Sequence, residues 1–346
     1  MNQQNFSFKS SKNIGLITVS IAVVVLTVCA GVYAWQKITV TQPRETHKAT
    51  LQESPSSNTS TTKSSSKPAE AITRIATGNH GNDTNGPYYH QVYSATSTDG
   101  LNWQTDGKLL FGHASVPGAV ITDNGTIFVY FVDGTNTVNG GPAVAKSTDL
   151  GETWTEYATN FENPITDKNC FADPEAELLD KGTIRLYLVC FPLNLSPTQR
   201  AKTEVISALS DDGLNFKIED GERIISQNNE SLTDPDVIKI GEVWKMYISH
   251  GSNVVSFTSE DGLNFTRDSG LKNSTGAVTG SYLISDNLAR HYFSANDGIR
   301  SATSSGGDWT VESGLRLARG GNKMFGSPTV VRLPDGTYKM FYKIQP

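Results

Sequence analysis

The chain has 346 residues, a formal net charge of -6 and three cysteines. Acids and bases are mixed along it with no basic stripe, which excludes nucleic acid as a partner. Its length exceeds what one packed core needs once the ends are set aside, so the chain divides into segments of different character.

Residues 1–13 are polar and carry Lys9 and Lys12 with no acid. Ile14–Trp35 is uncharged, apolar and 22 residues long. At ~1.5 Å per residue it crosses a ~30 Å hydrocarbon core, and the basic flank leaves the N-terminus in the cytoplasm. A cleaved signal peptide is the alternative, because Val32–Ala34 has the small-residue form of a cleavage site. Val28 before Cys29 argues against lipoprotein processing. The anchor reading makes the membrane a partner and puts everything after Trp35 outside the cytoplasm; the cleaved reading makes the protein secreted. Residues 36–71, with "ESPSSNTSTTKSSSKP", have almost nothing to bury and read as a flexible Ser/Thr-rich linker.

Residues 72–346 are expected to be all-β. A short turn recurs as "STDGLNW" from Ser97, "STDLGETW" from Ser147, "SDDGLNF" from Ser210 and "SEDGLNF" from Ser259, with a worn "SSGGDW" from Ser304. Between these turns lie hairpins that bend at Asn124-Gly125, Lys181-Gly182 and Asp335-Gly336, dipeptides that supply the positive φ a tight turn needs. Their second strands alternate bulky residues with period two, as in Ile127, Val129 and Phe131. One unit is therefore four strands, repeated five times, which is a five-bladed β-propeller. The chain enters on a third and fourth strand and ends on a first and second, so its ends share one blade. The other architecture that accommodates these strands, a two-sheet sandwich, does not account for the regular repeat.

Cys170 and Cys190 flank one hairpin, which brings them together as a disulfide candidate in an exported protein. They are not spaced as a zinc site, and no metal or other cofactor is expected. A structural calcium has no dense oxygen-ligand motif behind it.

"STDLGETW" resembles the Asp box of sialidases and related propellers. The shorter form, with "DP" opening an inner strand, resembles the five-bladed glycosidase-type propellers: arabinanases and xylosidases, fructan-cleaving enzymes and mannoside phosphorylases. The resemblance covers nearly all of residues 72–346. It implies a carbohydrate partner and an active site at the end where the innermost strands begin. Strand direction puts the repeated turns at the opposite end, so Asp99, Asp149, Asp212 and Asp261 read as structural clamps rather than site acids.

The first aligned positions of the inner strands are Val116, Asp173, Asp234, Thr279 and Ser327. Residues two apart share a strand face, so Glu175 is expected beside Asp173 and Asp236 beside Asp234. Four carboxylates on adjacent blades suit glycoside cleavage, where one carboxyl protonates the leaving oxygen and another activates water or attacks the sugar. The resembling hydrolases place three acids on separate blades, and here Val116 stands where the base is implied. His113, Asp133, His250, Asp297 and Arg300 lie near the ends of strands on the same side and are expected to line a sugar subsite. Two functions follow: a glycoside hydrolase-like enzyme, or a non-catalytic propeller that binds glycan or protein.

Overall fold

The period-two segments all form strands, since β-branched and aromatic residues at alternate positions bury one face of a pleated ribbon. The computed structural model describes residues 69–78, 84–138, 141–193, 202–227, 230–272, 276–321 and 323–345. These fall in the unit Lys63–Pro346. The second unit, Met1–Thr62, lies outside the described residues, and with it the expected tail, the span Ile14–Trp35 and most of the linker. Among the described residues no helix is long and apolar enough to cross a membrane. Packing begins slightly before the expected boundary at Ile72. Ala71 bridges to Tyr157, and the Ile72 amide donates to the Glu156 carbonyl at 2.9 Å.

Five antiparallel sheets form the blades. Blade one is Ala114–Ile121, Ile127–Asp133, Ala143–Ser147 and Thr155–Ala158. Blade two is Lys168–Leu178, Ile184–Pro192, Glu204–Ser210 and Asn215–Ile218. Blade three is Thr233–Ile240, Val243–His250, Asn253–Ser259 and Thr266–Arg267. Blade four is Gly276–Ser285, Leu288–Ala295, Gly298–Ser304 and Thr310–Val311. Blade five joins the chain ends, with Met324–Arg332 and Tyr338–Gln345 followed by Gln91–Ser97 and Gln104–Gly112. The closing ladder runs from Gln91 opposite Ile344 to Ser97 opposite Tyr338 without a break. Each inner strand touches the inner strands of both neighbouring blades, which closes the ring. A further strand, Asn160–Glu162, runs parallel to the outer edge of blade two and was not expected from the pattern.

Close approach of adjacent inner strands leaves no room for a side chain at two points. A Cβ on Gly118 would lie 2.0 Å from the Pro174 carbonyl oxygen, and one on Gly280 would lie 2.0 Å from that of Pro328.

The repeated turns close inward on themselves. Gly100 and Gly213 take φ of 70° and 76°, and each donates its amide to the turn serine at 2.9 Å. One Asp99 oxygen accepts the amides of Leu101 and Asn102, both at 2.8 Å, and Asp212 repeats the pattern with Leu214 and Asn215. Outside the turn, the glycine carbonyl accepts a hydrogen bond from a buried tyrosine of the preceding blade. Tyr130 reaches Gly213 at 2.9 Å, Tyr187 reaches Gly262 at 2.9 Å and Tyr292 reaches Gly100 at 2.6 Å. The turn's closing aromatic packs edge-on against the ring from the same position: Tyr130 on Phe216, Tyr187 on Phe265, Tyr247 on Trp309, Tyr292 on Trp103 and Phe341 on Trp154. Tyr247 faces the worn "SSGGDW" copy, and its hydroxyl has no such partner.

This arrangement gives two predictions. Tyr130→Phe and Tyr187→Phe should each destabilise by ~1–2 kcal/mol, because a buried glycine carbonyl loses its donor, whereas Tyr247→Phe should be close to neutral. Denaturant unfolding of the three variants checks this ordering. Deleting 338–346 removes the second strand of the shared blade and exposes the edges on both sides; the expected outcome is loss of the cooperative thermal transition in circular dichroism.

Candidate active site

The top of the ring, where the inner strands begin, carries a repeated backbone distortion. Val116, Asp173, Asp234 and Ser327 have φ of 48°, 50°, 53° and 48°, each immediately before a proline. The strand register slips at each of these points. Left-handed non-glycine residues cost ~1–3 kcal/mol and persist only where the surroundings over-determine them. Blade four corrects the expected alignment by one residue. Gly280 pairs with Tyr292 as Gly118 pairs with Tyr130, so Val278 holds the position assigned to Thr279.

The distortion brings Asp173 and Asp234 together. The Asp234 amide donates to an Asp173 oxygen at 3.1 Å across adjacent blades. Asp173 is 9% exposed and Asp234 is half-buried. Burial and then the neighbouring Asp234 charge push Asp173 up to about 8. Burial also raises Asp234, against which Lys343 and the hydroxyls of Thr233 and Ser249 act in the opposite direction. The equivalent residue of blade five, Ser327, is 2% exposed, and its hydroxyl has no hydrogen-bond partner.

Glu175 and Asp236 are not part of this pair. The bulge takes up one residue, so the expected two-residue alternation resumes a step lower, and the acids form two tiers instead of one cluster. Glu175 accepts from the Val237 amide, and burial followed by the Asp236 and Glu177 charges raises it well above the usual range. Burial and Asp236 do the same to Glu177, which sequence reading overlooked. Asp236 is fully buried and committed to blade four. It accepts from the Ser281 amide at 3.0 Å and the Ser281 hydroxyl at 2.6 Å. That hydroxyl lies 2.7 Å from His291 Nδ1, and His291 Nε2 lies 2.7 Å from Ser304 Oγ. With the single Ser281 proton given to Asp236, Nδ1 donates and Nε2 accepts. Burial pushes His291 down to about 3 and keeps it neutral. The chain from Asp236 to Ser304 is an internal brace between blades rather than a catalytic relay.

The five expected subsite residues are scattered and engaged locally. His113 stacks on Tyr88 at 4.3 Å, with Nδ1 2.6 Å from the Tyr88 carbonyl oxygen. Asp133 is saturated: it accepts from the amides of Thr135, Thr137 and Val138 and forms a buried ion pair with Arg74 at 3.2 Å. Arg74 also pairs with Glu156 and lies over Phe131. The Arg74 contacts tie the entering segment to blade one, so Asp133 has no oxygen left for a sugar. His250 sits 3.7 Å from Glu230, which is itself paired with Arg267 at 2.8 Å. Asp297 and Arg300 neutralise one another three residues apart. Sequence position alone located these residues at strand ends but gave no sign of their partners.

Cys170 and Cys190 form a disulfide. It joins the first two strands of blade two three residues before Asp173 and so braces the backbone that aims this carboxyl. Among the described residues no group of three or more His, Cys, Asp or Glu is arranged to hold a metal ion. A cavity of about 900 Å³ opens at the turn end of the ring, lined by Glu175, Glu177, Trp244, Asp261 and Ser281. Asp173 and Asp234 are not among its lining residues. Lys181, Arg185, Lys239 and Arg332 line the lower cavity together with these acids.

No protein-family model matches the chain, and a search of curated proteins finds no match. The fold is similar to that of a Dyadobacter fermentans protein of unknown function, with 17% identity, 73% of this chain and 83% of that chain covered, and a TM-score of 0.51. It is also similar to a thermostable family-43 glycoside hydrolase, with 14% identity, 67% and 88% covered, and a TM-score of 0.52. The chain is a five-bladed β-propeller of the kind on which family-43 glycoside hydrolases are built.

Because the folded-state value of Asp173 lies above the ~3.9 of an unfolded aspartate, ionising it opposes folding. Its contribution to stability falls as pH rises from ~4 toward about 8. Asp173→Asn should therefore match the parent near pH 4 and exceed it at pH 9 by an amount on the order of a few kcal/mol. Thermal melts across that range test this; an offset independent of pH would contradict it.

Proposed function

We propose that the protein is an extracytoplasmic, glycan-acting propeller that cleaves a glycosidic bond with the Asp173–Asp234 pair. The observation that carries this reading is the contact between two carboxyl-bearing residues, held in a strained backbone at the top of adjacent inner strands. A buried, proton-retaining Asp173 suits the general acid that protonates the leaving oxygen. Asp234, offset by a nearby cation, suits the carboxylate that faces the anomeric carbon, either drawing a proton from water or attacking directly. Fold likeness to a family-43 glycoside hydrolase agrees with this use of the scaffold, although fold by itself does not specify activity. Ile14–Trp35 serves as the membrane anchor in this reading, with residues 36–71 as the spacer. The disulfide supports exposure to an oxidising compartment.

A second reading, glycan or protein binding without catalysis, is favoured by one observation. The inner-strand positions of blades one and four carry Val116 and Val278, so the ring offers two acids where the resembling hydrolases have three.

Aryl glycosides with poor and good leaving groups separate these readings. Asp173→Asn should lose ~10²–10⁴-fold in kcat with poor leaving groups and much less with dinitrophenyl glycosides, whose departure needs no proton. Asp234→Asn should lose activity with both. Glycan binding with no turnover of any aryl glycoside would support the second reading and overturn the first.

A further inference from the structure

Four residues beyond their aligned positions at the top, the inner strands carry Val120, Glu177, Ile238, Tyr282 and Val331. In four blades this side chain is a core residue of a seam: Val120, Ile238, Tyr282 and Val331 each belong to a hydrophobic cluster between blades. Blade two puts a carboxyl there. On its own sheet Glu177 stands opposite Arg185, as Tyr282 stands opposite Arg290 in blade four. The two arginines are built in alike. Arg290 forks onto Glu312 at 2.8 and 2.9 Å, and Arg185 forks onto Glu219 at 2.9 Å through both nitrogens.

The seam between blades four and five shows this level filled. The Tyr282 hydroxyl accepts from Arg290 Nη1 at 2.7 Å, and the Tyr282 ring packs on Tyr338 of blade five at 4.8 Å. Between blades two and three the counterpart of Tyr338 is Trp244, since Tyr338 pairs with Arg332 as Trp244 pairs with Lys239. Glu177 is shorter than a tyrosine and ends short of its arginine: among the described residues no hydrogen bond or ion pair joins it to Arg185. Arg185 Nη1 and the Trp244 indole share one corner, where a Cβ on Gly262 would meet them at 2.9 and 3.2 Å. The indole takes up part of the room left by the missing phenol ring. The rest belongs to the cavity of about 900 Å³, which Glu177, Arg185 and Trp244 all line.

A molecule that fills this space meets three demands. Glu177 presents carboxyl oxygens that accept, Arg185 presents donors only, and Trp244 presents a flat apolar ring. A ring with hydroxyls on its rim and C–H groups on its faces satisfies all three, because a hydroxyl both donates and accepts. We propose that the turn end of the channel is a second binding site, for a pyranose ring that stacks on Trp244 and bridges Glu177 and Arg185 through its hydroxyls. The sugar takes the place that the Tyr282 ring fills in blade four. Arg185 keeps its fork on Glu219 and its contact with Tyr187, and a guanidinium has donors enough to add a sugar oxygen. This inference extends the glycan reading to a second site. It does not depend on cleavage by Asp173, which lies outside the cavity's lining.

The test uses full-length protein and free glucose, galactose, mannose and xylose. The indole N–H resonance of Trp244, assigned by its loss in Trp244→Phe, reports on the site. At least one sugar should shift it saturably, and the same shift should persist in Asp173→Asn. Glu177→Tyr installs the blade-four residue. It should melt no lower than the parent, because a ring replaces a buried carboxyl, and it should abolish the shift by filling the space. Glu177→Val, the residue of blades one and five, keeps the space open and should weaken binding ~10-fold or more through the lost hydrogen-bond partner. A Trp244 resonance that none of the four sugars moves would overturn the proposal, as would a titration unchanged in Glu177→Val. Sugar binding at Trp244 in a protein that turns over no glycoside would uphold this site while removing the catalytic reading. Turnover with an unmoved Trp244 would do the reverse.

Discussion

Every seam of the ring is closed by one kind of contact: an aromatic from the second strand of one blade, set edge-on against the aromatic that ends the turn of the next. Ring centroids lie 5.8 Å apart for Tyr130 and Phe216 and 5.6 Å apart for Phe341 and Trp154, and the same positions meet in the other three seams. Such pairs add ~0.5–1.5 kcal/mol each beyond area burial. Three seams add a hydrogen bond from the tyrosine hydroxyl to the turn glycine's carbonyl. That carbonyl is presented only because glycine takes a positive φ there, and the turn holds its shape only because the serine and aspartate satisfy its amides. The acid-rich turn that repeats along the sequence is thus the outer half of a latch. Its contacts are distributed over all five blades.

The latch also bears on where the paired acids lie. With the turn end of each blade locked to its neighbour, the inner strands converge tightly enough that Gly118 and Gly280 must lack side chains. At the other end the strands are bulged, proline-backed and left-handed. A bulge there turns Asp173 toward the amide of Asp234 and puts Glu175 and Asp236 into a separate lower tier. The disulfide and the proline following each distorted residue hold this geometry where no regular ladder does.

Much of this architecture is readable from residues alone. The turn copies count the blades, and strand direction separates the clamp end from the "DP" end. The disulfide partners were legible as the ends of one hairpin. Three things were not. A left-handed residue before proline breaks the two-residue alternation, so the prediction for Glu175 and Asp236 carried over a periodicity the backbone does not keep. Asp133 and His113 stand at strand ends, but their partners Arg74 and Tyr88 come from an entry segment that carries no motif. Glu177 lies outside the "DP" stretches; its burial beside the Asp236 charge sets it apart from the other acids.

In the proposed reading the top of the ring holds one proton between two aspartates, and it resides on Asp173. Neutron diffraction from crystals exchanged into deuterium oxide near pH 7 reads this directly. A deuteron is expected on an Asp173 carboxyl oxygen and none on Asp234. Two bare carboxylates, or a deuteron on Asp234 instead, would contradict it.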